Sequence, residues 1–314
     1  MSKLLVVFGA TGQQGGSVVE HVLSDPELSS IYHVRAVTRD PTKPAALALQ
    51  TKGVEVVKGD AEDPSSLLPA LKGAHTVFAV TLQVMEENVP KYQEFIQGKA
   101  MADAAVAAGA QFLIFSTLPD VAVLSSRKIT NVEHFDLKAE VELYIRSLPI
   151  KSAFYVPGYF MQNFTTFLVP QPAGDGSFVI ANVVTPQTLL PLIDTVADSG
   201  KFVGAILAAP EFFEGKYVRS AERLVTFEDV ANTISHVSGK TVQYVQIPES
   251  TLKPHLPSAI ADEVIAMFIY YQDFGYFGQK TKDVVKEAAQ VARGKLTTFE
   301  EFVAKNTSKI FPSA

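Results

Sequence analysis

The sequence predicts an α/β chain built on a doubly wound parallel sheet, and three observations carry that expectation. Through the first half, short runs rich in Val, Leu, Ile and Phe alternate with segments of helical period. Crossover units around a parallel sheet produce that alternation. The runs Leu4-Leu5-Val6-Val7-Phe8 and Phe112-Leu113-Ile114-Phe115 are apolar without a polar face, as strands covered on both sides require. A glycine cluster, Gly9-Ala10-Thr11-Gly12-Gln13-Gln14-Gly15, follows the first run directly and opens a helical segment.

Taken in order, strands are expected at residues 3–8, 33–38, 54–58, 76–80, 112–116 and 151–156. Helices are expected at 15–24, 44–51, 64–71, 90–109 and 131–147. Past residue 157 the pattern is less regular. Pro170, Pro172, Pro186 and Pro191 break residues 168–192 into loops around short strands. Thr226-Phe227-Glu228-Asp229 predicts a helix running to Ser238, with Thr226 as N-cap and acids in the first turn. A further helix is expected over 258–271. Residues 1–150 hold six Phe and three Tyr, whereas 151–314 hold fifteen and seven. That contrast divides the chain into 1–156 and an aromatic region 157–314. The boundary is soft, since doubly wound chains thread strands between lobes.

Composition removes several function classes. Of 314 residues 47% are hydrophobic, and the formal charge is −6 with no basic run. Direct nucleic-acid binding, which needs clustered Lys and Arg, is not expected. The chain has no cysteine, so thiolate metal sites, disulfides, cysteine nucleophiles and thiol-based redox sensing are excluded. The six histidines, at 21, 33, 75, 134, 236 and 255, show no paired ligand spacing. Neither G-x-S-x-G nor G-x-x-x-x-G-K-[ST] occurs. The apolar run after Met1-Ser2-Lys3 is too short for a signal-peptide core. The later stretch 202–209 is far short of the roughly 20 residues of a membrane span. A soluble chain, cytoplasmic or also nuclear and without a membrane partner, is expected.

The glycine spacing is G-x-x-G-x-x-G. Glycines let the backbone turn tightly and approach a pyrophosphate without an intervening Cβ, and the helix N-terminus adds free N–H groups. A nicotinamide dinucleotide is therefore the expected partner. The end of the second strand selects which one: a carboxylate suits the ribose of NAD, an arginine the 2′-phosphate of NADP. Here it reads Thr38-Arg39-Asp40. Arg39 is assigned to the 2′-phosphate, with Thr38 and Lys43 as helpers, and NADP(H) is expected over NAD. Asp40 leaves a second reading open, in which it pairs with Arg39 or serves NAD. Other strand ends should line the same crevice. Those positions are Asp60 and Ala61, then Thr81, Leu82 and Gln83, and Ser116-Thr117 nearer the nicotinamide. Asp60 either accepts from an adenine amino group or simply caps a turn.

These residues resemble the NmrA-like family of atypical short-chain dehydrogenases/reductases. The resemblance rests on residues 5–18 around the glycine cluster, Thr38-Arg39, Gly59-Asp60, and His134-Phe135-Asp136-Leu137-Lys138-Ala139-Glu140-Val141-Glu142. Pro157-Gly158-Tyr159-Phe160-Met161-Gln162-Asn163 and Tyr270 to Gly278 fit it as well. It implies a Rossmann-type domain with a smaller C-terminal α+β lobe and a nucleotide in the cleft between them. Carried over, the loop Gly9, Ala10, Thr11, Gly12, Gln13, Gln14 holds the pyrophosphate and Arg39 the adenosine phosphate. Thr81 and Gln83 lie along the cofactor, Lys138 reaches the nicotinamide ribose, and Tyr159, Phe160 and Asn163 close over the nicotinamide end. Members of the family include transcriptional co-regulators and redox sensors as well as reductases.

Hydride-transferring short-chain reductases usually pair a Tyr with a Lys four residues later, on one helix face. Here Lys138 fills the Lys slot and His134 the Tyr slot. Tyr144 would point roughly 240° around the helix from Lys138. Tyr159 or Tyr155 serves only if the cleft brings it close. His134 is either a general acid near neutral pH or a ring filling space beside the cofactor. The leading expectation is thus an NADP(H)-binding redox sensor or regulator with a protein partner. The alternative is an NADPH-dependent oxidoreductase acting on a small carbonyl, aromatic or quinone-like compound, with Lys138, His134 and Tyr159 as candidate catalytic residues.

Overall fold

The computed structural model describes residues 2–82 and 92–311. Its strands are β1 (Lys3–Phe8), β2 (Tyr32–Thr38), β3 (Glu55–Lys58), β4 (Thr76–Ala79), β5 (Phe112–Ser116), β6 (Lys151–Pro157), β7 (Tyr159–Phe160), β8 (Gln171–Pro172), β9 (Phe178–Asn182), β10 (Leu189–Ile193), β11 (Tyr217–Ser220), β12 (Arg223–Thr226) and β13 (Val242–Gln246). Seven of them form one sheet in the order β11-β6-β5-β4-β1-β2-β3. Every pairing in it is parallel. The expected doubly wound, Rossmann-type α/β class is therefore what the chain adopts.

Both faces of this sheet are covered, which is why its strands read as unbroken apolar runs. One face packs on helices Gln13–Ser24, Pro26–Ile31, Pro44–Thr51 and Thr195–Ala208, through Val18, Leu28, Leu49 and Phe202 among others. The other packs on Leu67–Ala70, Gln93–Ala107 and Glu133–Arg146, through Leu67, Met101 and Val141. A third core, rich in aromatic residues, lies in the lobe made by β7 to β10, β12, β13 and the C-terminal helices. Two small mixed sheets, β12-β10-β7 and β13-β9-β8, frame that lobe.

The expected elements recur with small shifts that have local causes. The first helix begins at Gln13 because Gly12 is its N-cap, with no side-chain cap. Residues 64–71 split into a 3₁₀ turn, Pro64–Ser66, and one short helix, Leu67–Ala70. Thr226 caps Phe227–Ser238 in a reciprocal capping box with Asp229. The helix expected at 258–271 is Ala261–Phe274, stopped by Gly275 at φ 79°.

Several elements escaped sequence reading, helices Thr281–Val291 and Phe299–Ile310 among them, and two of these belong to the second half yet complete the first layer. Helix Thr195–Ala208 is buried nearly all round, with Phe202, Val203, Ile206 and Leu207 at 0–2% exposure. A helix without a polar face has no amphipathic stripe to detect. It starts at Asp194, whose carboxylate accepts from the N–H groups of Val196 and Ala197. Strand β11 then returns to pair with β6, Tyr217 opposite Phe154. No helix among the described residues is long and apolar enough to cross a membrane.

Candidate functional site

The strand order places a series of strand ends along one crevice. From β3 through β2, β1, β4 and β5 to β6, the carboxyl ends open onto a single cleft of about 1480 Å³. Ligands of open parallel sheets bind at this edge. Most expected residues line the cleft: Gly9, Thr11, Gly12, Gln13, Gln14, Gly15, Arg39, Asp60, Ala61, Thr81, Leu82, His134, Lys138, Tyr159, Phe160 and Asn163. Gln83 lies outside the described residues. Ala10 is the one described loop residue outside the cleft wall. It is 1% exposed and belongs to the core beneath the loop, because the chain reverses at Gly9 and turns residue 10 inwards.

The glycine loop is built for close approach. Gly9 holds φ at +64°, and the Gly12 N–H donates to the Gly9 carbonyl at 2.8 Å. A Cβ on Gly15 would lie 2.4 Å from that same carbonyl oxygen. Gln14 is fixed from below, since the Ser116 hydroxyl donates to its side-chain oxygen at 2.6 Å. The helix N-terminus, free of any side-chain cap, presents its first N–H groups to the cleft, an arrangement suited to an anion.

At the end of β2, Arg39 is exposed on the cleft and makes no ion pair or hydrogen bond among the described residues. Asp40 does not engage it. Its carboxylate accepts from the Thr42 N–H at 2.9 Å and the Thr42 hydroxyl at 2.6 Å. Those bonds hold its carboxyl below the usual range. Lys43, an expected helper, caps helix Pro44–Thr51 and is not part of the cleft wall. Asp60 does cap a turn, accepting from the Glu62 N–H at 3.0 Å, while remaining in the wall. The loop fits the pyrophosphate of a dinucleotide, and the Arg39 guanidinium at the end of β2 is unpaired among the described residues.

Lys138 sits mid-cleft, but its protons are already engaged. It donates to Glu94, to the Thr81 hydroxyl at 2.7 Å and to the Thr81 carbonyl at 3.2 Å. The Thr81 hydroxyl in turn donates to Glu94 at 2.6 Å. Lysine has three donors and no acceptor, so this triad saturates it. The Lys138 and Glu94 side chains are 12% and 4% exposed. Sequence reading missed Glu94, since one acid near a helix start carries no spacing signal.

His134 is oriented from the opposite lobe. Its Nδ1 contacts the Glu263 carboxylate, which also accepts from the His134 backbone N–H at 2.8 Å. Glu263 lies on helix Ala261–Phe274, 129 residues away in sequence, and only the fold reveals the pair. With Nδ1 committed, Nε2 is the ring nitrogen left for chemistry. Both residues line the cleft.

Tyr159 lines the cleft too, but as part of a packed aromatic wall with Phe164, Phe268 and Tyr271. Burial pushes its phenol well above the ordinary value. The hydrogen bond with Asn163 offsets part of that, and no lysine acts on it. Tyr155 does not reach the cleft. Its hydroxyl is sealed between Ser199 and Ser220, at 3.0 and 2.9 Å, and burial raises it to about 12. Tyr144 points away, donating to Asp103. Of the 22 aromatic residues after position 150, six line the cleft, and the rest are mostly core.

Among proteins of known sequence, the NmrA-like family matches residues 1–303. An NmrA-like family domain-containing oxidoreductase, FrzB, from a Cladobotryum species is 28% identical, the match covering 94% of each chain. Among solved structures, NmrA, a negative transcriptional regulator crystallised with NADP, superposes with a TM-score of 0.80 at 24% identity, over 97% of this chain and 95% of that one. The same regulator has been solved with NAD. An NADPH-dependent quinone oxidoreductase from Escherichia coli gives 0.73 at 20%, over 96% and 99%.

Proposed function

The chain belongs to the NmrA-like family, and from that premise we propose that it is an NADPH-dependent oxidoreductase reducing a small carbonyl or quinone-like compound. The observation that carries the reading is the His134–Glu263 pair, set in the cleft wall beyond the glycine loop. The oxidoreductase names of relatives such as FrzB point the same way. They favour this reading over the sensor that the absent Tyr first suggested.

Gly9, Thr11, Gly12, Gln13, Gln14 and Gly15 would hold the pyrophosphate, and Arg39 the 2′-phosphate. When bound, NADPH supplies a hydride. The chain's own part is to bind, exclude water and deliver one proton. His134 donates from Nε2 to the substrate oxygen, while Glu263 holds the Nδ1 proton and the ring's orientation. Tyr159, Phe160 and Asn163 form the wall that keeps the reacting face dry. Lys138 is a positioning residue: its charge is matched by Glu94, and it ties the end of β4 to helix Glu133–Arg146.

NADPH oxidation, followed by absorbance against a panel of aromatic ketones and quinones, tests this. Turnover is expected, and His134→Gln is expected to lower kcat by about 100- to 10,000-fold with NADPH affinity retained. Absence of turnover across the panel, with NADPH bound, returns the reading to a sensor. Cofactor preference is tested at Arg39. Arg39→Ala should weaken NADPH binding by about 10- to 100-fold, the value of one or two charge-assisted hydrogen bonds. NADH binding should change little. Equal losses for both nucleotides in calorimetric titrations would count against the 2′-phosphate role.

A further inference from the structure

Beyond β6 the cleft continues into an arm walled by the C-terminal lobe. Leu168, Ile180, Leu256, Ile260, Val264 and Met267 supply much of its surface. Among the described residues, the lysine and arginine side chains in the cleft wall are Arg39 and Lys138. Arg39 lies at the far, β2 end, and Lys138 is matched by Glu94. Among the described residues the arm therefore has no lysine or arginine to receive a carboxylate or phosphate, and the basic groups of its wall are the imidazoles of His134 and His255. Its acid, Glu263, is engaged by His134. Burying an unpaired charge here is heavily unfavourable.

One buried polar group in this wall lacks a partner among the described residues. Asn182, at the end of β9, is fully buried, and its Nδ2 has no hydrogen-bond partner among the described residues. Its orientation is fixed by chemistry. The Val183 backbone N–H, which can only donate, lies 2.7 Å from the Asn182 side-chain oxygen. The unmatched atom is therefore the NH₂ donor. A buried donor of this kind calls for an acceptor, which a ligand oxygen in the arm can supply.

We propose that this arm is a binding site for an uncharged, extended aromatic compound bearing an acceptor oxygen that Asn182 Nδ2 recognises. The proposal rests on the oxidoreductase reading and narrows its substrate class: neutral ketones, quinones and polycyclic carbonyl compounds enter, and their carboxylated or phosphorylated analogues do not. Met267 and Phe268 give the arm an adaptable apolar wall.

The test is calorimetric titration of the full chain with NADP⁺ present, so that binding is read without turnover. The probes are 2-acetylnaphthalene, 2-ethylnaphthalene and 6-acetyl-2-naphthoate. The ketone is expected to bind, and the carboxylate at least about tenfold more weakly. Asn182→Leu should weaken the ketone by about 3- to 10-fold, the range of one net hydrogen bond, and leave 2-ethylnaphthalene unweakened. The hydrocarbon, which has no acceptor oxygen, separates lost recognition from a disturbed wall. Failure of the ketone to bind, carboxylate binding as tight as the ketone, or equal losses for ketone and hydrocarbon in the variant overturns the proposal. Ketone binding that depends on Asn182 without any NADPH oxidation instead sinks the oxidoreductase reading and leaves the site standing.

Discussion

Gly15→Ala is expected to eliminate nucleotide binding while the rest of the chain still folds. The added methyl would lie 2.4 Å from the Gly9 carbonyl oxygen, 2.5 Å from its carbon and 2.7 Å from the Phe8 oxygen. All three are backbone atoms of the turn, so no side chain can move aside. The loop must open, and with it the bond from the Gly12 N–H to Gly9 that sets the turn. Overpacking of this kind costs about 1–3 kcal/mol of stability, readable as a shift of the urea midpoint at unchanged slope. The larger effect is on the ligand. The first N–H groups of helix Gln13–Ser24 are aimed by that turn, and displacing them removes the anion cradle. Wild-type protein should gain melting temperature with NADPH, since a ligand that binds only the folded state stabilises it. Gly15→Ala should show no gain. An undiminished NADPH-dependent shift in the variant would mean that the loop does not hold the nucleotide.

Lys138→Met is expected to destabilise the chain strongly, and the loss belongs to Glu94. That carboxylate is 4% exposed and is shared by the Lys138 ammonium and the Thr81 hydroxyl. Removing the ammonium leaves a buried charge without its counterion, at a cost of about 3–5 kcal/mol. Lys138→Met/Glu94→Gln should recover most of it, because replacing both members of a buried pair is far milder than removing one. A double-mutant cycle in urea unfolding measures the coupling. If the single variant is as stable as wild type, the triad contributes nothing and Lys138 is free to serve a ligand directly. The same cycle guards the reading of activity data, since loss of turnover in a Lys138 variant follows from unfolding as readily as from chemistry.

The crevice itself was legible from local signals. Gly9 to Gly15 announce a strand-to-helix turn by spacing, and Arg39 declares itself by its distance from them. Both act through backbone geometry or position at a strand end, which adjacent residues determine. Glu94, Glu263 and Asn182 were not legible. Each is a single polar residue whose meaning comes from a partner or a wall brought near by folding: Glu263 from 129 residues away, Glu94 from 44. Tyr155 shows the converse. Its place after the sixth expected strand made it a candidate, but side chains alternate across a strand. It faces Ser199 and Ser220 in the helix-covered core, away from the cleft.

The sequence by itself determined the layered α/β architecture, the glycine-loop end of the cleft and the exclusion of thiol chemistry. These depend on periodicity, glycine geometry and the absence of one residue type. The tertiary structure alone decided which lobe orients His134, that Lys138 is neutralised by Glu94, and that Asp40 turns from Arg39 to Thr42. It also decided that, among the described residues, no lysine or arginine lines the far arm of the cleft. Those outcomes are set by pairings between distant segments, where burial makes each charge or donor find a partner, and a linear pattern carries no record of which partner the fold will supply.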